Sequence, residues 1–189
     1  MVRVGSIIAL ALLESVQAHA VIKTPDPRRT GPVHKALCGE TLTKTLERDR
    51  AGPIETALKN AAGAEYNCDP FLCRGYQWED NESKLHTVVS GDVINFKVDL
   101  IAGHQPGYAN VSIVDTATNE AIGAPVLTWE AWPGSNKGPD RNDTNFNVTI
   151  PDNLSSTCNI GGRCVIQWFW YVIDGPQRYE SCVDILVEE

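Results

Sequence analysis

Apolar and polar residues alternate along much of the second half of the chain, which is the pattern of β-strands that bury one face. Short turn-forming runs separate these segments, among them residues 90–92, 133–134 and 161–162. The pattern predicts short antiparallel strands packed as a β-sandwich. The alternating apolar positions are Ile94, Phe96, Val98 and Leu100; Val111 and Ile113; Phe146, Val148 and Ile150; and Val183, Ile185 and Val187.

Two segments depart from this alternation. Residues 164–173 are apolar on both faces, which predicts a strand in the middle of a sheet. Pro53, the helix-forming residues 54–62 and Gly63 together predict one short helix, because proline suits a helix start and glycine a helix end. The rest of residues 19–85 contains cysteines and many loop-forming residues, so we expect long disulfide-bearing loops beside the sandwich.

The first eighteen residues have the features of a secretory signal peptide. Arg3 is followed by an apolar stretch, and Val16 and Ala18 suit the −3 and −1 positions of a cleavage site. We therefore predict that residues 1–18 are removed and that the mature chain begins at His19, with cleavage after Ala20 as the alternative. The apolar stretch is too short to span a membrane. Residues 19–189 should form one domain, secreted to the extracellular space and monomeric.

Six cysteines remain after this cleavage, and an even number in an exported chain predicts up to three disulfides, with the pairing left open. A zinc site is disfavoured, because the closest pair has no second pair at zinc-finger spacing. Five Asn-x-Ser/Thr sequons predict a glycoprotein. The cysteines are Cys38, Cys68, Cys73, Cys158, Cys164 and Cys182, and the sequons begin at Asn81, Asn110, Asn142, Asn147 and Asn153.

The net charge of −8 argues against nucleic acid or an anionic membrane as a partner, since both select basic surfaces. A neutral polymer is compatible with this charge.

Two of the four histidines suggest metal chemistry. If cleavage precedes His19, this residue offers both its α-amine and a ring nitrogen, and an α-amine with a pKa of about 8 is easier to deprotonate than a lysine amine. His104 lies in a tight turn, residues 103–107, after a predicted strand. Three nitrogen ligands suit copper, whose divalent form favours open square-planar sites. Either histidine alone is commonplace, so the hypothesis depends on the two together.

Three segments of the chain resemble the lytic polysaccharide monooxygenases. Residues 19–28 are similar to the start of that family, in which proline and arginine follow the N-terminal histidine by six and nine residues, although Pro27 stands where many members have serine. Residues 103–107 resemble the loop with the second copper histidine. Residues 177–184 resemble the segment in which an aromatic residue, here Tyr179, precedes a disulfide cysteine by three positions and lies on the copper axis.

This resemblance implies an immunoglobulin- or fibronectin-III-like β-sandwich that binds one copper ion and cleaves glycosidic bonds by oxidation. The implied copper ligands are His19 and His104, with Tyr179 at the axial position and Gln167 as a nearby polar group. The implied co-substrates are an external electron donor with dioxygen or hydrogen peroxide. We expect an insoluble polysaccharide as the partner, namely cellulose, with chitin or hemicellulose as alternatives. The subclass that the chain most resembles is the fungal auxiliary activity family sixteen.

Other residues are weaker candidates for substrate contact. His34 is one, although a loop histidine without a role is the commoner case, and Tyr108, four residues after His104, is the aromatic residue that we expect at the surface.

Two other functions stay open. One is a copper-binding protein that oxidises no polysaccharide; relatives of that kind often have an acidic group near the copper. The other is a metal-free, carbohydrate-binding wall glycoprotein.

Overall fold

The computed structural model describes residues 18–134 and 141–189, with only the backbone described at residues 141 and 142. The predicted signal peptide therefore lies outside the described residues, apart from Ala18. Across the described ranges, no helix combines the length and the apolar character that a membrane crossing would need.

The described secondary structure consists mainly of short strands. The strands are β1 (His19–Thr24), β2 (His86–Val88), β3 (Val93–Ala102), β4 (Gly107–Asp115), β5 (Glu120–Ala121), β6 (Leu127–Trp129), β7 (Asn145–Thr149), β8 (Cys164–Val172) and β9 (Gln177–Val187). The helices are α1 (Pro32–Arg48), α2 (Ile54–Asn60) and α3 (Arg141–Thr144), and short 3-10 turns occur at Cys73–Gly75, Trp78–Asp80 and Glu82–Lys84.

Two sheets enclose one core, which confirms the predicted β-sandwich. The smaller sheet has the order β1-β3-β7, and the larger has the order β2-β9-β8-β4-β5, with β6 also paired to β4. Alternate side chains of both sheets, such as Phe96 from β3 and Val111 from β4, are fully buried in that core. One strand pair differs from the antiparallel prediction, since β2 runs parallel to β9.

Strand β8 lies between β4 and β9, as its apolar character on both faces predicts. Trp168 and Trp170 on this strand are fully buried. Trp132 packs edge-on against both, with ring centroids 5.2 and 4.7 Å away. The three indoles therefore form an aromatic cluster inside the sandwich, near the C-terminal end of β8.

The predicted helix is present as α2, preceded by Pro53. The longer helix α1 was not predicted. Its buried residues include His34 and Cys38 before Gly39, and Leu42 and Leu46 after it. Gly39 interrupts this helix with a φ of +80°, and the resulting kink weakens the helical pattern in the sequence.

All six cysteines form disulfides, as predicted. The pairs are Cys38–Cys68, Cys73–Cys182 and Cys158–Cys164. The first joins α1 to the loop after α2, and the second joins that region to β9. The region between β1 and β2 is thereby fixed against the larger sheet.

Candidate metal centre

The topology brings the two candidate histidines to the same end of the smaller sheet. Strands β1 and β3 are antiparallel, and His19 lies opposite Ala102 in their register. His104 follows only two residues after Ala102, in the turn that leads to β4. The first residue of β1 and the turn after β3 are therefore neighbours, although 85 positions separate the histidines in the sequence (104 − 19).

Tyr179 lies at this end as well, at the start of β9. Its hydroxyl is 2.9 Å from the carbonyl oxygen of Ala18, the residue joined to His19. The ring is fully buried and stacks on Trp170, with the centroids 4.3 Å apart. Burial raises the pKa of the Tyr179 phenol well above its ordinary value, and the carboxylates of Glu55 and Asp49 raise it further. The phenol therefore stays protonated at neutral pH.

Ala18 is fully buried, and its carbonyl lies beside the Tyr179 hydroxyl. If the chain is cleaved before His19, this carbonyl is removed and the new α-amine lies next to the same hydroxyl. The uncleaved chain therefore presents a peptide group where the cleaved chain would present a metal-binding amine.

Gln177 is a neighbour of Tyr179 that the sequence analysis did not single out. Its Oε1 is 2.7 Å from the Tyr179 hydroxyl. A phenol has one proton and the Ala18 carbonyl oxygen can only accept, so both contacts are satisfied when the phenol donates to Ala18 and the Gln177 amide is turned to donate from its Nε2. Residues two apart on a strand share a face, and this spacing was the signal that could have identified Gln177.

Gln167, the polar residue expected at the site, lies on the wrong face of the larger sheet. It alternates with Trp168 and Trp170, which point into the core, and it is paired with Cys182 and Ser112 on the outer face. Tyr179 is paired with Trp170 on the inner face. The structure thus corrects the expectation for Gln167.

Asp49, at the end of α1, contacts the His19 ring. Its Oδ2 lies 3.0 Å from Nε2 of His19, and its Oδ1 accepts a hydrogen bond of 2.8 Å from the Gly52 amide. The sequence analysis missed this residue, because nothing in the sequence links it to a histidine thirty positions away.

His104 lies in a turn that packs closely on the segment after β6. A Cβ at Gly103 would lie 2.9 Å from Pro133, and the Gln105 side-chain amide donates to the Pro133 carbonyl oxygen. Nδ1 of His104 is buried without a hydrogen-bond partner among the residues that the structure describes. Such an unsatisfied nitrogen costs about 1–3 kcal/mol, and coordination of the ring to a metal is one way to offset that cost.

Side chains alone do not complete a metal site. Within residues 18–134 and 141–189, no group of three or more His, Cys, Asp or Glu side chains is arranged to hold a metal ion. The residues present fit a metal only if the third nitrogen comes from the backbone, and cleavage before His19 would provide it. Two imidazoles and one amine are a donor set suited to copper.

The two candidates for substrate contact have different positions. His34 is fully buried in α1, 3.0 Å from the Thr43 hydroxyl and edge-on to Tyr76, so it cannot line a substrate surface. This expectation was wrong because His34 belongs to the buried face of a helix. Tyr108 is 39% exposed, on the outer face of the larger sheet beside Tyr171.

The structure argues against the predicted glycosylation of Asn81. This residue is 1% exposed, and its Nδ2 donates to the carbonyl oxygens of Arg29 and Gln77. A glycan would replace one of those donated protons and would need space that the interior does not offer. Asn147 and Asn153 are exposed, Asn110 is half-buried, and the side chain of Asn142 lies outside the described residues.

Residues 19–185 match a family model described as "Lytic polysaccharide mono-oxygenase, cellulose-degrading". No curated protein matches this chain. Among solved structures, the chain is similar to an auxiliary activity family 10 lytic polysaccharide monooxygenase from Streptomyces lividans, with 15% identity and a TM-score of 0.51 over 89% of this chain and 99% of that one. This likeness confirms the fold.

Two further solved structures show weaker likeness. The catalytic domain of a lytic polysaccharide monooxygenase from Listeria monocytogenes has 14% identity and a TM-score of 0.46, over 90% of this chain and 100% of that one. A CBM33 protein from Bacillus amyloliquefaciens, solved in complex with Cu(I), has 12% identity and a TM-score of 0.46 over the same shares.

Proposed function

Because the chain belongs to the lytic polysaccharide mono-oxygenase family, we propose that it is a secreted, copper-dependent enzyme that cleaves the glycosidic bonds of a polysaccharide by oxidation. The observation that carries this proposal is the convergence of the start of β1, the His104 turn and Tyr179 at one end of the sandwich. Residues 1–18 would be the signal peptide, and residues 19–189 the catalytic domain.

His19 would bind copper through its α-amine and Nδ1, because a chelate through these two atoms closes a six-membered ring, whereas Nε2 lies on the far side of the imidazole. His104 would supply the third nitrogen. Bound copper would supply the redox chemistry by which dioxygen with two electrons and two protons from a donor, or hydrogen peroxide alone, hydroxylates a sugar carbon beside the glycosidic bond and leaves water as the other product. The hydroxylated carbon would then expel the glycosidic oxygen, which breaks the chain.

Tyr179 would be the aromatic residue beside the bound copper. Its stacking on Trp170 and its full burial hold the ring in one orientation. Its raised pKa keeps the hydroxyl protonated, so the phenol would act as a neutral hydrogen-bonding group. Gln177, within hydrogen-bond distance of that hydroxyl, takes the role that the sequence suggested for Gln167.

Cellulose is the substrate that we propose, with chitin and hemicellulose as alternatives. The description of the matching family supports cellulose, and a neutral polymer suits a chain with a net charge of −8. The fungal auxiliary activity family sixteen type is a narrower proposal, supported by the tyrosine at position 179.

A second candidate is a protein that binds copper without oxidising polysaccharide. The Asp49 carboxylate, 3.0 Å from the His19 ring, favours it, because acidic groups near the copper are typical of such proteins in this group. Tyr179 favours the enzyme, since it supplies the aromatic group that the family resemblance implies beside the copper.

One experiment separates these functions. The chain beginning at His19 is loaded with one copper ion, its electron paramagnetic resonance spectrum is recorded, and reductant with cellulose or chitin is then added for mass analysis of soluble products. A type 2 copper signal with nitrogen couplings and oxidised oligosaccharides would support the enzyme. The same signal without oxidised products would favour copper binding alone, and the absence of bound copper would contradict both.

A further inference from the structure

The outer face of the larger sheet carries a group of aromatic side chains that the proposed function does not use. Tyr108 on β4 lies 5.6 Å from Tyr171 and 6.3 Å from Phe169 on β8, measured between ring centroids. Tyr108 is 39% exposed, and the other two rings are half-buried. Apolar groups that are exposed together on one face are typical of contact surfaces.

A glycosylation sequon lies among these rings. Asn110 follows Tyr108 by two residues on the same strand, and Ser112 follows Asn110 by two more, so the three side chains share the outer face. Asn110 is paired with Phe169 in the register of β4 and β8. A group attached to Asn110 would therefore leave the sheet beside both rings.

The side-chain amide of Asn110 can carry a sugar without loss of an internal contact. Its Oδ1 accepts from the Ser112 hydroxyl at 3.4 Å, and within the described part of the chain its Nδ2 donates to no other group. Asn81 differs, because its Nδ2 donates two hydrogen bonds inside the protein. Of these two sequons, only that of Asn110 has its amide nitrogen uncommitted.

An open depression beside Asn110 offers room for the first sugar. It lies along β4 and β6, has a volume of about 420 Å³, and is lined by Tyr108, Ala109, Asn110, Thr128, Trp129 and Glu130. Thr128 is the residue paired with Asn110 on this side. An aromatic ring suits the apolar face of a sugar, while a hydroxyl and a carboxylate suit its polar groups. The lining therefore has the mixed chemistry that a sugar residue requires.

We propose that Asn110 carries an N-linked glycan whose first N-acetylglucosamine packs in this depression against Tyr108. In the transfer, Nδ2 of Asn110 forms a bond to C1 of an oligosaccharide, the bond from C1 to its lipid pyrophosphate carrier breaks, and the amide gives up one proton. The inference depends on export through a eukaryotic secretory pathway, which is part of the proposed function, and it does not depend on copper.

The packed sugar would stabilise the fold and cover Tyr108. A contact of the strength of an aromatic pair corresponds to a rise in Tm of about 2–4 °C for a domain of this length. The contact also gives Tyr108 a role other than binding the polysaccharide substrate, which is the role that the sequence analysis suggested for it.

The test produces residues 19–189 behind a signal peptide of the eukaryotic host, so that export does not depend on residues 1–18. Glycopeptide mass spectrometry gives the occupancy of Asn110. Tm is then measured for the parent, Asn110→Gln, Tyr108→Ala and the double variant, because such a cycle isolates the coupling between the glycan and the ring. An endoglycosidase that leaves one N-acetylglucosamine on the asparagine separates the first sugar from the rest of the glycan.

Two controls accompany this cycle. Asn147→Gln, alone and with Tyr108→Ala, is the matched control, because Asn147 is an exposed sequon on the smaller sheet, where its Oδ1 accepts from Asn95. Its effect should be the same in both backgrounds. Tyr108→Phe keeps the ring, so it should behave like the parent and guards against an alanine variant that fails to fold.

We expect Asn110 to be occupied, and Asn110→Gln to lower Tm by about 2–4 °C in the parent but by less than about 1 °C in Tyr108→Ala. Trimming to one sugar should leave Tm unchanged. An unoccupied Asn110 would overturn the inference, as would an equal loss of Tm in both backgrounds or a loss on trimming. A parent that carries this stabilising glycan but binds no copper would contradict the proposed metal site and still support the inference.

Discussion

Replacing Arg28 by alanine should destabilise the fold by about 3–5 kcal/mol, because the Asp184 carboxylate would remain buried without its partner. The two side chains are 5% and 1% exposed. The guanidinium donates to both oxygens of Asp184, at 2.8 and 2.5 Å, and also to the carbonyl oxygen of Tyr76 at 3.1 Å. For a domain of this size the loss corresponds to a fall in Tm of roughly 6–20 °C.

Urea denaturation with the disulfides intact measures this loss for Arg28→Ala, Asp184→Asn and the double variant Arg28→Met with Asp184→Leu. The double variant should be more stable than either single variant, since it removes both buried charges. Asp184 lies opposite Val165, at the start of β8 and far from Tyr179, so copper affinity should not change. Losses below about 1 kcal/mol in both single variants would refute the reasoning.

Three further predictions concern other buried groups. His104→Ala should weaken copper binding at least about tenfold and leave the metal-free Tm nearly unchanged, because the variant removes a nitrogen that is already unsatisfied; a large fall in that Tm would make His104 structural. Glycopeptide mass spectrometry of folded protein from a eukaryotic secretory host should find Asn81 unmodified, since a glycan there would prevent folding; an occupied Asn81 would contradict this. Burial raises the pKa of the Glu180 carboxyl from 4.5 to about 8. Because the unfolded chain releases this proton first, stability should fall as the pH rises from about 4.5 to about 8, and Glu180→Gln should flatten the decline in a pH series of urea midpoints; the same slope in the variant would disprove the assignment.

The strands could be predicted because each buries one face, and the period of two is then visible in the sequence. The same applies to β8, whose apolar character on both faces reflects its central place. Helix α1 was not predicted, because Gly39 divides it and interrupts the helical pattern in the sequence. The parallel pairing of β2 with β9 depends on how the chain returns through space, which no local pattern encodes.

The site could be predicted only where short motifs carry it. His19, His104 and Tyr179 stand in such motifs, and the topology brings their segments to one end. Gln177 could have been chosen over Gln167, because strand alternation gives it the face of Tyr179. Asp49 could not have been predicted as part of the site, since its contact with His19 arises from the packing of a loop against β1.

The most direct test of the central claim is a copper titration of two chains that differ by one residue. One begins at His19, and the other retains Ala18, whose carbonyl lies 2.9 Å from the Tyr179 hydroxyl. Retaining Ala18 converts the α-amine of His19 into an amide and removes one chelating atom. The account predicts tight binding of one copper by the first chain and a loss of at least about a hundredfold in the second. Equal affinities would contradict it, because the N-terminal nitrogen of His19 could not then be a ligand.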